Sequence, residues 1–256
     1  MSSSVSNDAA RAELDVMISG GFSLAYRQLL PAFERTTGIA VATASAASQG
    51  TGPNTMKAQL ERGARADVVI LSREGLSELI AAGRIASGTD VDLARVPLGA
   101  AVRPGQPKPD VATLDAFKQT LLDARAIAVP GSTSGIFLMN DVFPRLGLVD
   151  KGSVKVGARG TDATSMVAAG EADIVLGPVS ELVNVPGIAF VSQLPAEVQL
   201  LQVFAAAMVA GSDRREQAKQ LIEFLASREA APAIEQSGME PLGLRPTNAE
   251  PNLRRR

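Results

Sequence analysis

The sequence predicts an α/β protein of two similar lobes, and three features predict it. Short apolar runs of strand length alternate with segments of helical period, the pattern of helices packed on a mainly parallel sheet. Two acid-led strands, ADVVIL (66–71) and ADIVLG (172–177), each follow a short helix ending in glycine, at Gly63 and Gly170, so one plan is used twice. Loops rich in Ser and Gly recur where strands run into helices, the edge of an open parallel sheet at which ligands bind.

The elements follow in order. LDVMIS (14–19) reads as a buried strand, GGFS as a turn, and the next stretch as a helix with Leu29, Leu30 and Phe33 on one face. Pro31 should kink that helix, because it lacks a backbone donor, and Gly38 should stop it. IAVATASA (39–46) is a second strand, and Met56 and Leu60 mark a short helix. ADVVIL is the third strand, and Leu76, Leu79 and Ile80 share one face of the helix after it, with Gly83 as its cap. VPLGAAV, a Pro-rich loop, a helix near 113–124 and the strand AIAV (126–129) lead to VPGSTSGIFL. There Ile136, Met139, Phe143 and Leu146 fall at helical spacing, with a break expected at Pro144. A helix, a strand and a glycine turn follow across 164–182, then the apolar strand LLQVFAAAMVA (200–210) and two closing helices.

Composition narrows the chemistry. With 256 residues, 46% hydrophobic, the chain can bury a large core. Its 25 Lys plus Arg against 27 Asp plus Glu give a formal charge of −2, which offers no global field for nucleic acid or an anionic membrane. Having no His and no Cys excludes imidazole and thiol catalysis, Ser-His-Asp triads and the usual zinc sets, so neither metal nor cofactor is expected. Any catalysis must use carboxylates, Lys, Arg, hydroxyls or Tyr26. GTGPN lacks the Lys of a phosphate loop, and SGGFS is not a dinucleotide fingerprint. The first sixteen residues carry no basic start before an apolar run and no stretch is long enough to span a bilayer. The chain as written therefore reads as cytoplasmic, and as periplasmic if a leader has been removed.

The candidate ligand residues come from five loops at strand ends. They are Ser19, Gly20, Gly21 and Phe22; Ser48, Gln49, Gly50 and Thr51; Ser72 and Arg73; Ser132, Thr133, Ser134 and Gly135; and Val179 and Ser180. Gly allows close backbone approach, while hydroxyls and helix-start N–H groups donate to an anion. Each loop alone also reads as a turn or a helix cap. Arg73 and Arg159 could clamp a carboxylate through paired hydrogen bonds, and Glu181 and Asp162 are possible bases. The sequence does not single out a catalytic base.

FERTTGIAVATASAASQGT, LERGARADVVILS, LIAAGRI and IEFLASREAAPAIEQSG, at their spacing over residues 14–245, resemble type II periplasmic solute-binding proteins of the molybdate-binding branch. Within that branch GAAVRPGQPKPDVATLDAFKQTL, SGIFLMNDVFPRLGL and SELVNVPGIAFVSQLP are more similar to a divergent group that includes aconitate isomerase. The resemblance implies the type II periplasmic-binding-protein fold: two Rossmann-like lobes, 14–95 plus 209–245 and 96–208, with flexible tails at 1–13 and 246–256. It implies a small organic anion, such as a tricarboxylate, between the lobes, gripped from the second by Ser132, Thr133, Ser134 and Gly135. Gly20, Gly21 and GSTSG depart from the molybdate pattern and favour a larger anion than a tetrahedral one. The implied activity is a double-bond shift by proton transfer. The alternative is a receptor for molybdate or another small anion, which alone would need an ABC permease as partner.

Overall fold

The computed structural model describes residues 13–148 and 153–243. β1 (Glu13–Ile18) leads through Ser19 into α1 (Gly20–Thr37), then β2 (Ala40–Ser45), α2 (Met56–Glu61), β3 (Val68–Ser72), α3 (Arg73–Ala81) and β4 (Val91–Val96). Past Pro97 come β5 (Leu98–Val102), α4 (Leu114–Asp123), β6 (Ile127–Pro130) and α5 (Thr133–Phe137). A π-helical stretch (Leu138–Val142) carries α5 on into α6 (Phe143–Leu146). β7 (Val154–Gly157), α7 (Gly160–Ala168), β8 (Ile174–Pro178) and β9 (Ala189–Gln193) follow. The chain closes with β10 (Gln202–Met208), α8 (Arg215–Leu225), α9 (Ala231–Gln236) and β11 (Glu240–Pro241).

Two sheets result, and their strand orders correspond: β2-β1-β3-β10-β4-β11 and β7-β6-β8-β5-β9. In each, a central strand pairs in parallel on both sides, β1 with β2 and β3, β6 with β7 and β8. The next strand is antiparallel: β10 lies between β3 and β4, β5 between β8 and β9. Both sheets are therefore mixed rather than mainly parallel. The reversed strand of each sheet is reached directly from the other sheet, β5 from β4 across Pro97 and β10 from β9. The expected return of the chain near Val209 is corrected accordingly: Gln202–Met208 already belongs to the first sheet. The expected tails, apart from Glu13, lie outside the described residues.

The repeated acid-led strand has a physical cause. The Asp67 carboxylate accepts from the Asp15 N–H at 2.9 Å, and the Asp173 carboxylate from the Arg125 N–H at 2.7 Å. Each Asp thus satisfies a donor at the start of the neighbouring parallel strand, once per sheet.

Both faces of each sheet are covered, which is why the strands read as unbroken apolar runs. Val16 and Ile18 face Phe22, Leu29 and Phe33 of α1 and Leu221 of α8, whereas Met17 packs with Met56, Leu76 and Leu79 on the opposite face. Ile127 and Val129 pack on Phe117, Leu138 and Phe143, while Ala128 and Val175 face Ala163 and Val167 of α7. Some local expectations fail. α1 runs through Pro31, which lies on its exposed side, and Ile80 is 44% exposed rather than buried beside Leu79. Pro144 opens α6, where its missing N–H costs least, and the π-helical stretch absorbs the irregularity. No helix among the described residues is long and apolar enough to cross a membrane.

Tyr26, the only tyrosine, lies in the first core with its hydroxyl 3.0 Å from the Thr43 hydroxyl, and burial pushes its pKa up to about 12. The unfolded phenol ionises near 10, so stability should hold below pH 10 and fall by roughly 1.4 kcal/mol per pH unit up to about pH 12. An ultraviolet titration should show no phenolate at pH 10.5 in the folded protein. A Tyr26 that ionises at its ordinary value there contradicts this packing.

Candidate functional site

The carboxyl-end loops of the two sheets line a narrow cleft. The first sheet supplies Ser19, Gly20 and Gly21 after β1 and Ala46, Ala47 and Ser48 after β2, with Gln202 and Phe204 from β10. The second supplies Pro130, Ser132 and Ser134 after β6, Arg159 and Gly160 after β7, and Pro178 and Glu181 after β8. The starts of α1, α5 and α7 thus converge on one space, with the positive ends of their dipoles toward it.

The hydroxyls fall into two groups. Thr55, Ser72 and Thr113 cap their helices, accepting from the N–H groups of Ala58, Gly75 and Ala116. Ser19 and Ser132 occupy the same cap position of α1 and α5 but make no such bond. Ser19 Oγ is buried without any hydrogen-bond partner among the described residues, and so is Gln202 Oε1 on β10 of the same sheet. A buried polar atom with no partner costs about 1–3 kcal/mol, so two around one cleft mark places for ligand atoms. Ser48 Oγ accepts from the Ser72 N–H at 3.0 Å, which leaves its own proton to donate.

Glu181 follows β8 in a 3₁₀ turn (Val179–Glu181), and its carboxyl lies between Gly20 and Gly160, the first residues of α1 and α7. A Cβ on either glycine would overlap that carboxyl, and a Cβ on Gly21 would overlap the Phe204 ring. The paired glycines of the first loop therefore admit two side chains into the cleft wall. Burial pushes Glu181 up to about 7, far above the ordinary carboxylate range. Arg159 precedes α7; its N–H donates to the Asp162 carboxylate at 3.0 Å, and its guanidinium lies 3.6 Å from the same carboxylate, both side chains partly exposed. Asp162 is thus a helix-start cap.

A chain of hydroxyls ties the rims together. Thr133 Oγ1 donates to Gln49 Oε1 at 2.8 Å and lies 2.7 Å from Ser72 Oγ. Since Thr133 has one proton, Ser72 donates to Thr133 while accepting from the Gly75 N–H. Beside this link a Cβ at Gly50 would meet the Gly131 carbonyl.

Of the sequence-predicted residues, Ser19, Gly20, Gly21, Ser48, Ser132, Ser134 and Arg159 line the cleft. Gln49, Ser72 and Thr133 form the rim link instead, and Thr51 is exposed beyond it. Others are corrected. Phe22 and Val179 belong to the first core, where apolar packing claims them. Arg73 is taken up by Asp90 and Asp92, and its bond holds the Asp90 carboxyl below the usual range. Gly135 is required because a Cβ there would collide with the Pro130 carbonyl. Ser180 is buried and lines an outer hollow on the far side of Gly20, Gly160 and Glu181. Gly160, Gln202 and Phe204 were not anticipated. The signal for Gln202 was present, a single polar side chain inside an otherwise apolar strand.

Comparison with known proteins places this geometry in context. A family model described as bacterial extracellular solute-binding protein matches residues 14–240. An aconitate isomerase from Pseudomonas sp is 40% identical over 236 residues, 91% of this chain and 89% of that protein. Among solved structures, the periplasmic molybdate-binding protein of Azotobacter vinelandii superposes with a TM-score of 0.68 at 21% identity, covering 88% of this chain and 98% of that one. The sulfate-binding protein SubI of Mycobacterium tuberculosis gives 0.70 at 18%, covering 91% and 88%. These two share the fold.

The two groups of hydroxyls should behave differently on truncation. Ser19→Ala removes a buried hydroxyl with no partner and should raise stability by about 1 kcal/mol or more, while Ser72→Ala should lower it by about 1 kcal/mol or more for the lost cap. Urea unfolding of the free protein measures both. Equal losses would mean that Ser19 is an ordinary cap.

Proposed function

The chain belongs to the bacterial extracellular solute-binding protein family, and from that premise we propose that it binds a small polycarboxylate in the cleft and shifts its double bond, as an aconitate isomerase. The observation that carries this reading is the likeness to the Pseudomonas enzyme along nearly the whole chain. The cleft supports it: an extended anion with several carboxylates uses separated donors, and here they are the Ser19 hydroxyl, Ser132 and Ser134 and the Arg159 guanidinium. Gathered helix starts favour negative charge without a formal counter-charge at each position.

The chemistry needs a base beside a methylene group, donors for the negative charge that spreads over the conjugated carboxylates, and exclusion of water. The rim link through Thr133 joins the two sheets beside the cleft. In keeping with the extracellular character in the family's description, we place the protein in the periplasm.

A second reading follows from the family and the fold: a receptor without catalysis that delivers molybdate or another small anion to an ABC permease. One experiment separates the two. Purified protein incubated with trans-aconitate should produce the cis isomer, resolved by chromatography, at a rate proportional to protein concentration. No conversion, together with a raised melting temperature in molybdate or sulfate, would decide for the receptor.

A further inference from the structure

We infer that the Glu181 carboxyl is the proton carrier of the reaction, removing a proton from the substrate's methylene carbon and returning it at the other end of the allylic unit. This rests on the isomerase reading above and names the residue that performs its central step.

Position carries the argument. The carboxyl lies against the first residues of α1 and α7, which come from different sheets, and it forms part of the same wall as Ser19, Gln202 and Arg159. It has no hydrogen bond or ion pair among the described residues. Both neighbouring glycines leave it room that any other residue would fill. In a site that only captured anions, a carboxyl facing the ligand would oppose binding, because like charges at close range repel strongly where water is excluded. A group that takes up a proton gains from that setting, because burial pushes the carboxyl above the ordinary carboxylate range and eases its protonation. The charged groups around it are Arg159 with its partner Asp162 at the start of α7, and Arg27 of α1, which lines the outer hollow with Glu181.

The step balances. The methylene C–H bond breaks, and its proton goes to the Glu181 carboxylate. The electron pair spreads over the three-carbon allylic unit into the attached carboxylates, where helix-start N–H groups, Arg159 and the hydroxyls stabilise the charge. The carboxylic acid then delivers a proton to the far carbon. The double bond now joins the former methylene carbon to the central one, and the carboxylate is restored. No electrons enter or leave.

Glu181→Gln keeps shape and volume between the two glycines and removes only the titratable oxygen. With trans-aconitate, kcat should fall at least about a hundredfold. Affinity for tricarballylate, the saturated tricarboxylate, measured by calorimetry, should stay within about tenfold or tighten. Proton resonance in heavy water should show the wild-type protein exchanging the methylene protons of trans-aconitate and the variant failing to do so. In the wild type, kcat/KM should rise with pH through a limb near 7. Glu181→Asp, which keeps the acid and shortens its reach, provides a check independent of Gln folding: a lowered kcat with the rising limb retained supports the assignment. Wild-type turnover with kcat retained within a fewfold in Glu181→Gln overturns this assignment alone. A wild type that neither isomerises nor exchanges overturns the isomerase reading and this assignment with it.

Discussion

Everything at the cleft depends on the absence of side chains at Gly20 and Gly160. These residues open α1 and α7, and between them lies the carboxyl of Glu181. A methyl group at either would occupy the position of that carboxyl, and Gly21 extends the same economy to the Phe204 ring. Helix starts that would otherwise be closed by their own side chains thus stay open toward a common space. Backbone donors and partial positive charge surround an acid that burial holds near neutrality.

The topology makes such a meeting possible. Corresponding strand orders in the two sheets bring equivalent carboxyl ends to the same cleft, and each sheet contains a reversed strand that arrives from its neighbour. Through β10 the first sheet gains Gln202 and Phe204 on the cleft wall; through Pro97 the chain enters the second. The Asp67 and Asp173 carboxylates fix the far ends of the parallel strands in the same way in both sheets. At the rim, one hydroxyl proton on Thr133 and one on Ser72 connect the sheets, a small and directional contact.

Much of this was legible in the sequence, for identifiable reasons. Alternating periods gave the elements, and the doubled acid-led strand exposed the internal correspondence before its hydrogen bonds were visible. The five Ser-bearing loops all lie near the cleft, but composition could not separate a hydroxyl that caps its helix from one that does not. Ser72 and Ser19 look alike in sequence and differ only in where the nearest N–H points. Arg73 was misread because its partners, Asp90 and Asp92, lie on the far side of a helix and a turn. Phe22 and Val179 were assigned to a ligand although the core claims them. Glu181 stood among the possible bases without anything to distinguish it, since its environment is made by two glycines distant from it in the chain. Gly20, Gly21 and GSTSG had pointed away from a tetrahedral oxyanion, and the glycines have a specific role in the wall.

The account is tested most directly by a crystal structure of the protein grown with tricarballylate, which offers the three carboxylates and cannot isomerise. It predicts the tricarboxylate in the cleft, its carboxylates on Ser19, Ser132 or Ser134, and Arg159. A methylene carbon should lie within about 3.5 Å of a Glu181 oxygen. A tricarboxylate bound elsewhere, or bound in the cleft with Glu181 turned away from every methylene carbon, would contradict it.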